Sequence, residues 1–327
     1  MMTFSLPKHI DPRHCVVTQQ YAVYTPPMHE MIAQIGEWID QQRPGGYLWG
    51  ASRLGKSRCV QYFLARVLSE RFEIVLPLIV WIRPADSQAS EAGFWQMLLH
   101  ASRFALIDSM KSVKRTIGRQ LCLQRFISIA EWARRNYVIL LIDEAQSMTL
   151  REWQWLMGLQ NDLDHMGYLL SVFSIGSHQL NYKYDYFANT GNAHVSARFM
   201  AAHEQFHGLR SRDELNYVLN GYDIDSRWPE DSDISFLEYF APECFARGRR
   251  LVDCSDVLWR TMQELSPVNA RRFGEFPMQH VARTVEGTLF ELARGGGWGD
   301  VTSYKSWLRR LSATNFSDHM RIICPPS

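Results

Sequence analysis

Gly50-Ala51-Ser52-Arg53-Leu54-Gly55-Lys56-Ser57 sets two glycines, four residues between them, ahead of a lysine and a serine. That spacing is the GxxxxGK[ST] phosphate loop, and its context fits, because a short apolar run precedes it and helical spacing follows. The glycines let the backbone curl so that its N–H groups and the start of the next helix face an anion. Lys56 would reach the β- and γ-phosphates, and the Ser57 hydroxyl would hold Mg²⁺. The segment Gly50 to Arg58, with Arg58 as its last member, is thus the expected nucleotide cradle. A glycine-rich surface turn is the bland alternative. A chance match in a chain of this length is on the order of one in a hundred.

A second cluster is Val138-Ile139-Leu140-Leu141-Ile142-Asp143-Glu144-Ala145-Gln146. The continuous apolar run reads as a central parallel strand. Asp143 emerges at its carboxyl end, where open α/β sheets place their ligands. Asp143 is expected to hold Mg²⁺ through water, and Glu144 to orient and deprotonate an attacking water. A lone acidic pair there is more often a helix cap. The phosphate loop upstream favours the chemical reading, and the second acid favours attack by water over transfer to a bound acceptor.

Three positions are weaker. Ser171 to Leu180 ends an apolar strand in polar residues, and Ser177 is the first choice for a side chain that reports loss of the γ-phosphate. Capping of the next helix by Ser177 is the alternative. Arg198, in Ser196-Ala197-Arg198-Phe199, suits an arginine finger for a neighbouring subunit's site, or a surface salt bridge. Arg271 or Arg272 could fold back onto the γ-phosphate and couple nucleotide state to a lid angle, or be solvated helix charges.

The elements that must carry these residues follow from periodicity. Met31, Ile32, Ile35, Trp38 and Ile39 have helical spacing, and Arg43-Pro44-Gly45-Gly46 stops that helix. Strands are expected at Tyr47–Trp49, Ile74–Ile82, Val138–Ile142 and Tyr168–Ile175. Strands separated by helical segments imply βαβ units and a mostly parallel sheet with helices on both faces. After about residue 209 the strand signals cease. The expected organisation is an irregular lead-in over 1–27, an α/β domain over 28–209, an α-helical domain over 210–294 and a tail over 295–327.

With 46% hydrophobic and 21% charged residues, the 327-residue chain can bury a sizeable core and does not read as disordered. The formal net charge of +1 excludes a globally basic nucleic-acid coat, so any such surface is local. Residues 101–136 carry eight basic side chains against two acidic ones, a local +6, with Arg103, Lys111, Lys114, Arg115 and Arg119 the best candidates for phosphate contacts. A solvated helix face is the alternative. Residues 213–243 carry nine acidic residues against Arg227 alone, a local −8, interleaved with aromatics such as Tyr217, Trp228 and Tyr239. That stretch suits a protein partner, or core packing. Six scattered cysteines with no CxxC pair argue against a disulfide scaffold or a zinc knuckle. No leader-like or membrane-length apolar run is read, so the expected location is the cytoplasm.

The order phosphate loop, Asp-Glu strand, polar strand end, Arg-Phe and helical segment with paired arginines resembles an AAA+ ATPase. Within that superfamily, Ile142-Asp-Glu-Ala-Gln146 and Ile175-Gly-Ser-x-x-Leu180 resemble the TnsC/TniB transposition regulators, relatives of the Mu B protein, in the compact form found with CRISPR-associated transposons. The resemblance covers roughly residues 20–290. It implies an α/β P-loop NTPase with a mostly parallel five-stranded sheet flanked by helices and a small α-helical lid. It also implies ATP and Mg²⁺ as cofactors and assembly on duplex DNA of any sequence, in rings of about six or seven subunits or in helical filaments. The implied partners are a transposase and target-selection proteins, with no membrane, and hydrolysis dissolves the assembly. A helicase or replication-initiator loader shares every catalytic residue. A P-loop small-molecule kinase, or a regulatory ATPase that does not touch DNA, are the remaining alternatives.

Overall fold

A computed structural model describes residues 6–85, 90–106, 114–268 and 274–324, and the statements below concern those residues. In chain order they form α1 (Pro26–Asp40), β1 (Gly45–Trp49) and α2 (Lys56–Cys59), which continues through a π turn into α3 (Ala65–Phe72). Then come β2 (Leu78–Ile82), α4 (Glu91–Ala101), α5 (Arg115–Trp132), β3 (Tyr137–Asp143), α6 (Leu150–His165) and β4 (Leu169–Gly176). α7 (Gln179–Asn189), α8 (Ala193–Phe199) and β5 (His203–Gln205) follow. The longer helices after them are α9 (Arg212–Asn220), α10 (Ser255–Leu265), α11 (Met278–Ala293), α12 (Tyr304–Ala313) and α13 (Phe316–Ile323). The chain divides into two compact units, one of 30–50 and 63–206, the other of 1–29, 51–62 and 207–327.

The first unit is built on one all-parallel sheet of order β2-β3-β4-β1-β5. β3 and β4 are central because their apolar runs are wanted on both faces: every residue from Val138 to Ile142 is fully buried, as are Val172, Phe173 and Ile175. β2 starts at Leu78, four residues later than the apolar pattern from Ile74 suggests, since Pro77 has no N–H for the ladder. The Pro77 carbonyl still accepts from Ile139 N–H. Phe94, Trp95 and Leu98 of α4, Phe126 of α5, and Trp153 and Leu156 of α6 pack with the sheet residues in a single core.

The second unit is helical, with only isolated bridges Leu209–Phe276 and Arg227–Ser235 outside its helices and loops. Leu215, Val218, Leu258, Met262, Val281, Val285 and Leu289 fill its core, joined by Trp307, Leu311, Phe316 and Met320 from α12 and α13. Much of the aromatic content of 213–243 lies in this core too: Tyr222, Phe236 and Phe240 are buried, while Tyr217 is about half exposed at 47%. Its acids are also partly spent inside the unit. Asp223 is buried and accepts the N–H groups of Leu251 and Val252, and burial pushes its carboxyl up to about 6.

His14 has a comparable role at the amino end. It caps the short helix Cys15–Thr18 by accepting Val16 N–H at Nδ1, among the rings of Trp228, Phe236, Tyr239 and Phe240. Burial pushes this imidazole down from 6.5 to about 4, so it is neutral at pH 7. An unfolded chain takes up the proton first, so stability is lost as pH falls from about 6.5 towards 4. Between pH 7 and pH 5 this one site accounts for about 1–2 kcal/mol. Urea unfolding at the two pH values should show a loss that is smaller by that amount in His14→Asn, which keeps a capping oxygen. An unchanged loss would show that His14 is not the titrating group.

Candidate nucleotide site

Gly50 leaves β1 where the chain passes so close to Phe206 that a Cβ would lie 2.3 Å from its carbonyl oxygen. Gly55 ends the loop at φ 119°, a conformation open to glycine and strained for other residues, and is the N-cap of α2. The helical run starts at Lys56, and the first N–H groups of a helix have no acceptor within the helix itself. Lys56 Nζ donates to the Ala51 carbonyl across the loop at 2.6 Å, and Ser57 is exposed. Leu54 is buried, while the Arg58 guanidinium donates to the Gln19 carbonyl and to the Tyr62 hydroxyl.

The first half of the loop is tied to α11 and α13. Arg53, at φ 63°, accepts Gln279 N–H through its carbonyl at 3.2 Å. Ser52 Oγ lies 3.0 Å from His319 Nε2, His319 Nδ1 lies 2.9 Å from His280 Nε2, and His280 Nδ1 lies 2.8 Å from Thr314 Oγ1. The direction of this chain is fixed at its far end. Thr314 gives its only proton to the Leu311 carbonyl, so His280 Nδ1–H must donate to Thr314. It follows that His319 Nδ1–H donates to His280 and Ser52 O–H donates to His319. Burial first, then His319 and Arg53 nearby, push His280 down to about 4; burial, then Arg53, pushes His319 down as well. Both rings are therefore neutral at pH 7, as the chain requires.

In the sheet unit, parallel pairing puts Trp49 of β1 beside Gly176 of β4, and Ser174 of β4 beside Ile142 of β3. The ends of all three strands thus share the carboxyl edge. Asp143 is buried there at 2% exposure, and its Oδ1 accepts Glu144 N–H at 2.9 Å. Glu144 is exposed and left-handed at φ 58°, an uncommon conformation for glutamate that turns the chain off the strand. Gln146 Nε2 donates to Glu144 Oε2 at 2.5 Å, and Gln146 Oε1 accepts Ser177 N–H at 3.1 Å.

Beyond this turn, Thr149 and Glu152 form a capping box at the start of α6. Glu152 is also paired at 2.9 Å with Arg83, which follows β2, and both side chains are almost completely buried. Lys183 of α7 donates to the Met148 carbonyl, and burial pushes its amine down. These contacts clamp the Asp143–Glu144 turn between β2, α6 and α7.

The remaining sequence-derived positions are scattered. Ser177 Oγ accepts Gln179 N–H at 3.3 Å just ahead of α7, whose N-cap is His178. Arg198 is half-buried in α8 and donates to Asn161 Oδ1 of α6 at 2.6 Å. Arg103, Lys114 and Arg115 are exposed; Arg119 is paired with Asp162 at 2.6 Å, which offsets its charge locally. Lys111, Arg271 and Arg272 lie outside the described residues. Sequence reasoning missed Arg83, Glu152 and Gln146 around the Asp143–Glu144 turn, and His280 and His319 behind the phosphate loop. The Thr149-x-x-Glu152 spacing was a visible capping signal, whereas nothing in the sequence joins Ser52 to His319, 267 positions away.

A nucleotide with Mg²⁺ suits these groups. The glycine-shaped loop, the lysine and the helix start suit polyphosphate; the Ser57 hydroxyl in one unit and the Asp143 carboxylate in the other are each hard oxygens of the kind Mg²⁺ takes. The buried Arg83–Glu152 pair gives a stability prediction. Glu152→Ala removes the buried carboxylate to which Arg83 Nε donates and should cost about 3–5 kcal/mol in urea unfolding. Arg83→Met with Glu152→Leu should recover most of that loss. A loss under about 1 kcal/mol for Glu152→Ala would show that the pair does not hold this turn.

Residues 39–183 match a family described as AAA domain. Among solved structures, the fold is similar to the Aeropyrum pernix ORC2 protein in its ADPNP–ADP complexes, with a TM-score of 0.58 and 11% identity over 94% of this chain and 72% of that one. It is also similar to Drosophila ORC bound to DNA, with a TM-score of 0.54 and 12% identity over 92% of this chain and 69% of that one. Comparison with curated proteins gives no match. The five-stranded all-parallel sheet, its flanking helices and the helical region after it are an AAA+ fold.

Proposed function

We propose that this chain is a Mg²⁺-dependent ATPase that uses ATP to assemble on duplex DNA. The carrying observation is that β1, which the chain leaves into the phosphate-loop sequence, and β3, which ends in Asp143 with Glu144 next, run the same way in one parallel sheet, and that residues 39–183 match a family described as AAA domain. In this reading, residues 50–58 bind the triphosphate, Ser57 and Asp143 hold Mg²⁺, and Glu144 takes the proton of the attacking water. The bound metal would neutralise developing charge on the phosphates. Ser177 reports the γ-phosphate, Arg271 or Arg272 couples it to the helical unit, and Arg198 serves the site of a neighbouring copy.

The exposed Arg103, Lys114 and Arg115, together with Lys111, would meet DNA phosphates without reading sequence, with Arg119 contributing less because of Asp162. The finer assignment is a transposition regulator of the TnsC/TniB type, which links target-selection proteins to a transposase and leaves DNA after hydrolysis. It rests on Ile142-Asp-Glu-Ala-Gln146 and Ile175-Gly-Ser-x-x-Leu180. The likeness in fold to ORC proteins supports a second reading, a replication-initiator-like loader with the same ATP chemistry.

Duplex-DNA binding without nucleotide and with ADP, ATP or a slowly hydrolysed ATP analogue, with electron microscopy of each mixture, separates these roles. ATP-dependent rings or filaments on DNA of arbitrary sequence are expected. Binding in no nucleotide state, with hydrolysis intact, would overturn the DNA role. Lys56→Ala should abolish ATP binding and assembly, and Glu144→Gln should keep binding while trapping assemblies. Arg198→Ala should lower turnover at least tenfold in the oligomer and leave the isolated subunit unchanged; an equal loss in both would place Arg198 within its own site.

A further inference from the structure

We propose that Gln146 is a positioning residue whose single amide fastens the Glu144 carboxylate to the end of β4. The inference rests on the reading of Glu144 as the group that activates water. The Gln146 amide is used on both sides, with Nε2 donating to Glu144 Oε2 at 2.5 Å and Oε1 accepting Ser177 N–H at 3.1 Å. Its orientation is dictated by its partners. A backbone N–H can only donate and a carboxylate can only accept, so the oxygen must face Ser177 and the nitrogen must face Glu144.

Two further observations support the clasp. Gly176 is the residue that makes room for it: a Cβ there would lie 2.3 Å from Gln146 Oε1 and 2.8 Å from Leu180 Cδ1. Glu144 is exposed, and among the described residues no other side chain bonds its carboxylate. Without the amide, that carboxylate would be free to sample rotamers in water. The clasp removes this freedom and makes its aim depend on where β4 ends. Ser177 thereby affects the carboxylate through its backbone N–H, whatever its hydroxyl does.

A side chain at 146 must both donate and accept over a fixed reach. Alanine removes both bonds, glutamate cannot donate and sets a like charge against Glu144, and asparagine is one methylene too short. A base displaced by about an ångström can lose on the order of a hundredfold in rate.

The test is steady-state ATP hydrolysis by the full chain with Mg²⁺, alongside equilibrium binding of ATP. Gln146→Ala and Gln146→Glu should each lower kcat tenfold or more, with KM and ATP affinity within about twofold of the unmodified chain. Gly176→Ala, which crowds the same amide from the other side, should show the same split. A merely structural role would instead weaken ATP binding together with turnover, and that result would overturn the proposal. Gln146→Ala with unchanged kcat, beside an inactive Glu144→Gln, would overturn the clasp while leaving Glu144 in place. If Glu144→Gln itself turns over ATP normally, the reading of Glu144 fails and the clasp has nothing to position.

Discussion

Parallel pairing of β1, β4 and β3 is the constraint on which the candidate site depends. Because the three strands run the same way, each delivers its last residue to one edge of the sheet, and the polar residues that cannot stay in an apolar core emerge together there. β4 lies between the other two, so the strand carrying Ser177 separates the strand feeding the phosphate loop from the one carrying Asp143. The full burial of Val138 to Ile142 fixes the register of this edge, since a parallel strand covered on both faces has no solvated side to slip towards.

Within each unit, polar groups are held by contacts of different kinds. The Asp143–Glu144 turn is clamped by a buried ion pair, a capping box and an amide bridge, all within the sheet unit. The phosphate loop belongs to the helical unit, where neutral hydrogen bonds run from Ser52 through two histidines to Thr314. The histidines suit this use because each neutral ring supplies one donor and one acceptor, and burial keeps them neutral. The ion pair, by contrast, is charged on both sides, so loss of Arg83 would leave Glu152 a buried carboxylate without its cation.

The sequence was informative where physics is local. β1, β3 and β4 were legible as apolar runs closed by glycine or acid, and the phosphate loop was legible because few chains place two glycines, a lysine and a serine at that spacing. β2 was read too long because its apolar pattern extends back past Pro77, which has no N–H to donate and leaves the strand to start at Leu78. β5 has no apolar run at all: His203, Glu204 and Gln205 are a strand only because β1 offers them a free edge. The missed site residues share one property, a partner that the chain brings near only on folding. Arg83 finds Glu152 69 positions on, and Gln146 finds Ser177 31 positions on. Charge counting was similarly blind to pairing, since Arg119 is offset by Asp162 on another helix.

The central claim is that residues 50–58, Asp143 and Glu144 serve one Mg²⁺-dependent reaction in which water attacks the γ-phosphate. The most direct measurement is single-turnover conversion of γ-labelled ATP by the purified full chain, with Mg²⁺ or with a chelator, resolving free phosphate from any labelled acceptor. The account predicts free phosphate as the sole labelled product, formed only when Mg²⁺ is present. Bound ATP that persists unchanged with Mg²⁺, or label recovered on an acceptor molecule, would contradict it.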